Sequence, residues 1–201
     1  MAITASCAAL KPLCLSTRKT TDFDLEDTFY YRWGELFTTP KGYMTQESMA
    51  FWVDNILAPH VSLIRSILGE ESRCVLIGDG CIAHFSEKVD ECLAKIGNIK
   101  VIPLPSHSSH LTQMLDSSAF GSLKKRYSSI QGNKNFTSKY TRKLMKIKQA
   151  YESSVNSELI RSSWESTGFK INLSQGEVSS YSFSDDFKSF IRAEALHENH
   201  Q

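Results

Sequence analysis

RCVLIGDG, residues 73–80, is the stretch on which the fold turns. Val75, Leu76 and Ile77 make a short β-rich run without polar alternation, as in a strand buried on both faces, and it stops at Gly78-Asp79-Gly80. Ser86 then offers a hydroxyl to start a helix, SEKVDECLAKIG, with Val89, Cys92, Leu93 and Ile96 on one stripe and Gly97 to end it. A second run, IKVIPL, follows at once. Strand, helix and strand in about 30 residues are a βαβ unit, so a parallel pair with a right-handed crossover is expected.

Such a crossover leaves both strand ends on one edge of the sheet, where α/β proteins gather their chemistry. Asp79 closes the first strand. From the second departs PSHSSHLTQMLD, residues 105–116, with His107, His110 and Asp116. Spacing alone allows two readings. The histidines could centre a zinc site, or Asp79 and Asp116 could converge as oxygen ligands for a hard cation such as Mg²⁺ or Mn²⁺. Paired carboxylates on divalent metals support phosphoryl transfer, normally with a third carboxylate. The plain alternatives are a turn aspartate in Gly-Asp-Gly and a helix-start aspartate at 116.

Upstream, Met49, Trp52, Val53, Ile56 and Leu57 recur at helical spacing after the hydroxyls of Thr45 and Ser48. Pro59 marks a kink or break, after which Val61, Leu63, Ile64, Ile67 and Leu68 continue to Gly69. Residues 20–43 read as a long connection. ITASCAAL reads as a strand, followed by a turn at Lys11-Pro12 and a second extended piece, LCLST. This N-terminus is acid-free and rich in Ser and Thr, yet no basic region precedes its apolar part, which argues against a secretory signal. Downstream, Phe120, Leu123 and Tyr127 open a helix, a Gly-Asn break falls at 132–133, and a basic helix spans 138–155. The last 45 residues are expected to be short helical pieces and turns.

Net charge is only +1, but the charge is unevenly spread. Residues 117–151 contain no Asp or Glu and nine Lys or Arg, so the chain can present a strongly positive face to a polyanion. Lys124, Lys125, Arg126, Lys139, Arg142 and Lys143 are the candidates for phosphate contact. Five cysteines without a C-x-x-C pair fit neither a disulfide framework nor a zinc knuckle, and are expected to be reduced, buried thiols of an intracellular protein. No apolar run is long enough to span a bilayer.

The segments KGYMTQESMAFWVDNILAP, VLIGDGCIAH and IPLPSHSSHLTQMLDSSAFGSLKKRY, in this order and spacing, resemble the DDE superfamily endonuclease domain of pogo- and Tigger-type transposases and their domesticated, centromere-binding and jerky-like relatives. The resemblance covers roughly residues 1–127. It implies a ribonuclease-H-like α/β fold, a mixed sheet flanked by helices, and Mg²⁺- or Mn²⁺-dependent chemistry on DNA in the nucleus. Its D-x-x-x-x-H element falls on Asp79 and His84. Its "LPPHTTHLLQPLD" element runs from Leu104 to Asp116, with Phe120, Leu123 and Lys124 beyond. Asp79 and Asp116 are thereby implied as catalytic metal ligands. The departures are that the family's first catalytic Asp, at the end of a first strand preceding ITASCAAL, has no counterpart, nor has its helix-turn-helix region. Gly80 and Met114 replace the usual Asn and Pro. The expected organisation is a partial endonuclease domain over 1–130, its first strand missing, and a basic helical extension over 131–201. Impaired catalysis follows, with a non-catalytic nucleic-acid-binding or interaction module as the alternative.

Overall fold

The computed structural model describes residues 1–18, 33–104, 115–131, 138–174 and 177–185. Its strands are β1 (Leu13–Ser16), β2 (Glu35–Thr38), β3 (Cys74–Gly78), β4 (Ile99–Pro103), β5 (Phe169–Ser174) and β6 (Glu177–Phe183). Its α-helices are α1 (Gln46–Trp52), α2 (Ala58–Leu68), α3 (Glu87–Ile96), α4 (Phe120–Ser129), α5 (Lys139–Ser154) and α6 (Ser157–Ser166). The architecture is mixed α/β. In place of one continuous mixed sheet, the described strands form three pairs: β1–β2 parallel, β3–β4 parallel and β5–β6 antiparallel.

The β3–α3–β4 unit forms as its sequence dictates, with Cys74 opposite Ile99 and Gly78 opposite Pro103. Alternation sends Cys74, Leu76, Ile99 and Val101 to the face covered by α1, α2 and α3, where they pack against Met49, Trp52, Val53, Ile56, Leu57, Val61, Val89 and Leu93. The expectation of burial on both faces is corrected on the other side. Ile77 is covered there, but Val75 is 54% and Ile102 39% exposed, because the packing against Ile160 and Trp164 reaches only the end of β3. Ser86 starts α3 through its extended backbone (φ −109°, ψ 154°) and its carbonyl, which accepts from Val89 and Asp90. Its hydroxyl makes no cap bond, contrary to expectation.

Helix α1 is closed by a capping box. The Thr45 hydroxyl accepts from the Ser48 N–H, and the Ser48 side chain accepts from the Thr45 N–H. The helical path does not break at Pro59. A single π-helical turn, Val53–Leu57, widens the spiral just before it, so the proline sits in the first turn of α2, where no N–H is needed. Arg65 on α2 then ties the unit together. Its guanidinium donates to the carbonyls of Ser72 (3.2 Å), Ile96 (2.7 Å) and Gly97 (2.6 Å). Gly97 and Asn98 turn the chain into β4 with φ of 68° and 49°, the left-handed region where glycine and asparagine are least strained.

Two further expectations are corrected. ITASCAAL is a tight turn with one bridge, Ile3 to Ala9, and Cys7 at φ 62°. Local hydroxyl bonds favour that turn: the Thr4 side chain donates to the Ala8 carbonyl and accepts from the Ala8 N–H. LCLST does form a strand, β1, but its partner β2 lies inside the stretch expected to be a connection. At the other end, the last 45 residues contain the β5–β6 hairpin as well as α6. Residues from both ends of the sequence share the remaining core. Trp33 and Leu144 pack with Cys14, Leu36, Tyr140, Ile147 and Tyr151, while Ile160 and Trp164 pack with Ile3, Ala5, Cys7, Ala9, Ile77, Val155 and Phe169. The Trp164 indole N–H donates to the Thr4 carbonyl at 3.0 Å.

Candidate metal and nucleic-acid site

Leu104 N–H donates to the Gly78 carbonyl at 2.8 Å, so β3 and β4 end level with each other. Asp79 emerges from that edge, its side chain 35% exposed. Oδ1 of Asp79 accepts from the Cys81 N–H (3.2 Å), an Asx turn, and lies 2.8 Å from His84 Nδ1. A short 3₁₀ turn, Ile82–His84, brings the histidine back over the strand end; His84 N–H donates to the Cys81 carbonyl at 2.8 Å. The ring stands against Gly78, where an added Cβ would lie 3.8 Å from Nδ1. Both described bonds of the carboxylate fall on Oδ1, which fixes the side chain and leaves Oδ2 for a ligand.

His84, the histidine of the D-x-x-x-x-H element, is the side chain that orients Asp79. The D-x-x-x-x-H spacing carried that signal: six residues suffice for one Asx turn and one 3₁₀ turn. Cys81 was missed altogether. Cysteines 7, 14, 74 and 92 are buried or half-buried, and all five are free, as expected. Cys81 alone is exposed, and its Sγ, an Asp79 oxygen and a His84 nitrogen lie within 4.8 Å of one another. Among the described side chains no second carboxylate joins this group.

His107 and His110 lie outside the described residues, and so does the side chain of Asp116. The backbone of Asp116 belongs to a π-helical turn, Leu115–Ala119, at the head of α4. That turn is anchored: Ala119 is fully buried, and the Ser118 and Ser163 hydroxyls are 2.6 Å apart. Ser163 lies on α6, the helix whose Ile160 and Trp164 also hold Ile77 of β3. One helix therefore supports both the strand that ends in Asp79 and the turn that contains Asp116.

The basic residues lie on α4 and α5, which pack on each other as a helical hairpin. Lys124, Lys125, Lys139 and Lys143 are exposed, and Arg142 is half-buried. Arg126 donates from Nε to the Ser153 hydroxyl (3.0 Å), and Lys146 lies 4.4 Å from the Tyr127 ring centroid, so both also hold the hairpin together. Arg18, not singled out from the sequence, joins this surface: it donates to the Ser138 hydroxyl at 3.1 Å and stacks 5.3 Å over Tyr140.

Residues 17–165 match the family model of the DDE superfamily endonuclease. The chain belongs to that family. The match starts later than the resemblance read from the motifs and runs further, through α5 and nearly all of α6. No curated protein and no solved structure matches the chain.

Proposed function

We propose that this protein is a transposase-derived, ribonuclease-H-like module that binds DNA and contributes ligands to a divalent-metal phosphodiester site. The observation that carries the reading is the position of Asp79, at the carboxyl edge of a parallel strand pair, in a chain of the DDE superfamily endonuclease family. The donor chemistry fits a hard cation, since Asp79 is anchored through one oxygen and offers the other. Asp79 and Asp116 would hold Mg²⁺ or Mn²⁺. Bound there, the metal would polarise the phosphate and activate the attacking oxygen. The protein's own part is to aim the carboxylates, through His84 at Asp79 and through the Ser118–Ser163 contact at the Asp116 turn.

DNA binding would rest on other residues: the exposed lysines of the α4–α5 hairpin neutralise phosphates without reading bases. The cellular setting we propose is the nucleus. The test is supercoiled-plasmid nicking in Mg²⁺ or Mn²⁺ alongside a binding titration at several salt concentrations. Weak nicking, lost in Asp79→Asn and Asp116→Asn, is expected together with salt-sensitive binding. Nicking that survives both substitutions refutes the metal-site assignment. The alternative, a purely non-catalytic nucleic-acid-binding module, is favoured by the hairpin's basic surface; it wins if wild type and variants are equally inert yet bind DNA.

A further inference from the structure

The loop that follows β3 offers more than a carboxylate. Within six residues, Asp79-x-Cys81-x-x-His84 presents an oxygen, a sulfur and a nitrogen donor, all within 4.8 Å of one another. The trio is reachable from solvent: Cys81 is exposed, and the Asp79 and His84 side chains are 35% and 23% exposed. A tetrahedral zinc ion, with bonds of about 2.0–2.3 Å, places its donors roughly 3.3–3.6 Å apart. Asp79 Oδ1 and His84 Nδ1, 2.8 Å apart, are closer than that, so the ion would take the place of their hydrogen bond and draw the exposed Cys81 sulfur in from within 4.8 Å. Three protein donors leave the fourth position to water.

We propose that Asp79, Cys81 and His84 form a binding site for a thiophilic divalent cation of the zinc class, and that occupancy by zinc takes the Asp79 carboxylate away from the hard cation. Binding follows from the loop alone; only its inhibitory consequence rests on the nuclease reading above. The chemistry separates the two ions. A thiolate and an imidazole raise affinity for Zn²⁺ or Co²⁺ and do nothing for Mg²⁺, which requires oxygen. The ligands differ from the His107–His110 pair that the sequence suggested for zinc.

Cobalt is the probe, because a thiolate–cobalt bond has its own charge-transfer absorption. The full chain, reduced with a non-chelating phosphine, is titrated with Co²⁺. The expected result is a one-to-one charge-transfer band, bleached by stoichiometric Zn²⁺ and unaffected by a large excess of Mg²⁺. Cys81→Ser should abolish the band, and His84→Gln should weaken cobalt binding by at least about tenfold. Both side chains are partly or fully exposed, so unchanged far-UV circular dichroism and melting are expected and serve as the folding control. No band, a band that survives Cys81→Ser, or displacement by Mg²⁺ as readily as by Zn²⁺ overturns the proposal. The readout needs no nuclease activity, so a chain that nicks DNA without binding cobalt defeats this inference alone, and a cobalt-binding chain inert on DNA defeats only the nuclease reading.

Discussion

Replacing Arg65 with Met tests whether the β3–α3–β4 unit is held as described. The substitution keeps an apolar stem and deletes a guanidinium that donates to three carbonyls, those of Ser72, Ile96 and Gly97. Two of these close the C-terminus of α3, where the helix dipole also favours a cation. Hydrogen bonds to a charged donor contribute about 1.5–3 kcal/mol each when buried. Arg65 is only half-buried, and water replaces part of what is lost, so about 2–3 kcal/mol is expected for the set. For a domain of this size that lowers Tm by roughly 5–10 °C. Urea unfolding followed by circular dichroism and a calorimetric melt are the assays. Arg65→Lys should recover only part of the loss, because one ammonium cannot span three carbonyls in the geometry of the fork. A cost for Arg65→Met below about 0.5 kcal/mol, or full recovery by lysine, would refute the reasoning.

Ile160 is 2% exposed in the cluster that joins α6 to Ile77, so Ile160→Ala should cost about 2–5 kcal/mol in urea unfolding; a cost near zero would mean that contact is not made. Burial pushes the Cys14 thiol up to about 11 and the Tyr151 hydroxyl up to about 12. Both groups are thus favoured in their neutral forms by the fold, so their contribution is full below pH 9 and is lost as pH rises through 11 to 12. Cys14→Ala should flatten the alkaline fall in Tm, and an unchanged slope would remove the thiol from that account. Under brief iodoacetamide treatment Cys81 should be alkylated first and Cys14 and Cys92 last, as read by peptide mass mapping; the reverse order would contradict the exposures given above. In DNA binding, the four exposed lysines set a slope of log K against log salt of roughly −3 to −4, and Lys124→Gln with Lys125→Gln should reduce its magnitude by about 2. An unaltered slope would place the DNA elsewhere.

What was legible in the sequence was local. The βαβ unit could be read because its strand, cap, stripe and C-terminal glycine lie within 30 residues and each obeys its own periodicity. The place of Asp79, just past the end of β3, could be read for the same reason. Beta strand β2 escaped because ELFT is four residues long, and its pairing with LCLS is parallel and distant, so neither length nor turn chemistry announces it. ITASCAAL was misread because small and β-branched residues suit a strand as well as a turn; the turn closes by a backbone bond from Thr4 N–H to the Ala8 carbonyl, reinforced by two Thr4 hydroxyl bonds that leave no periodicity. The β5 strand was a missed signal, since Phe169, Ile171 and Leu173 alternate strictly with polar residues. Arg65 carries no pattern: its three acceptors lie on other elements, and only the packed structure brings them within reach.

The same distinction explains the candidate site. Asp79, Cys81 and His84 meet through backbone geometry confined to one loop, so their spacing implies their contact. Asp79 and Asp116 can be brought together only by tertiary structure, and the element suited to that task is α6, far along the chain from either. Its Ile160 and Trp164 hold β3 at Ile77, two residues before Asp79, and its Ser163 meets Ser118, two residues after Asp116. A helix touching both segments within two residues of each aspartate restricts where each backbone can move. The family match runs to residue 165, and α6 runs to Ser166. That coincidence has a physical sense: the packing of β3 and of the Leu115–Ala119 turn is incomplete until the helix that braces both has been included.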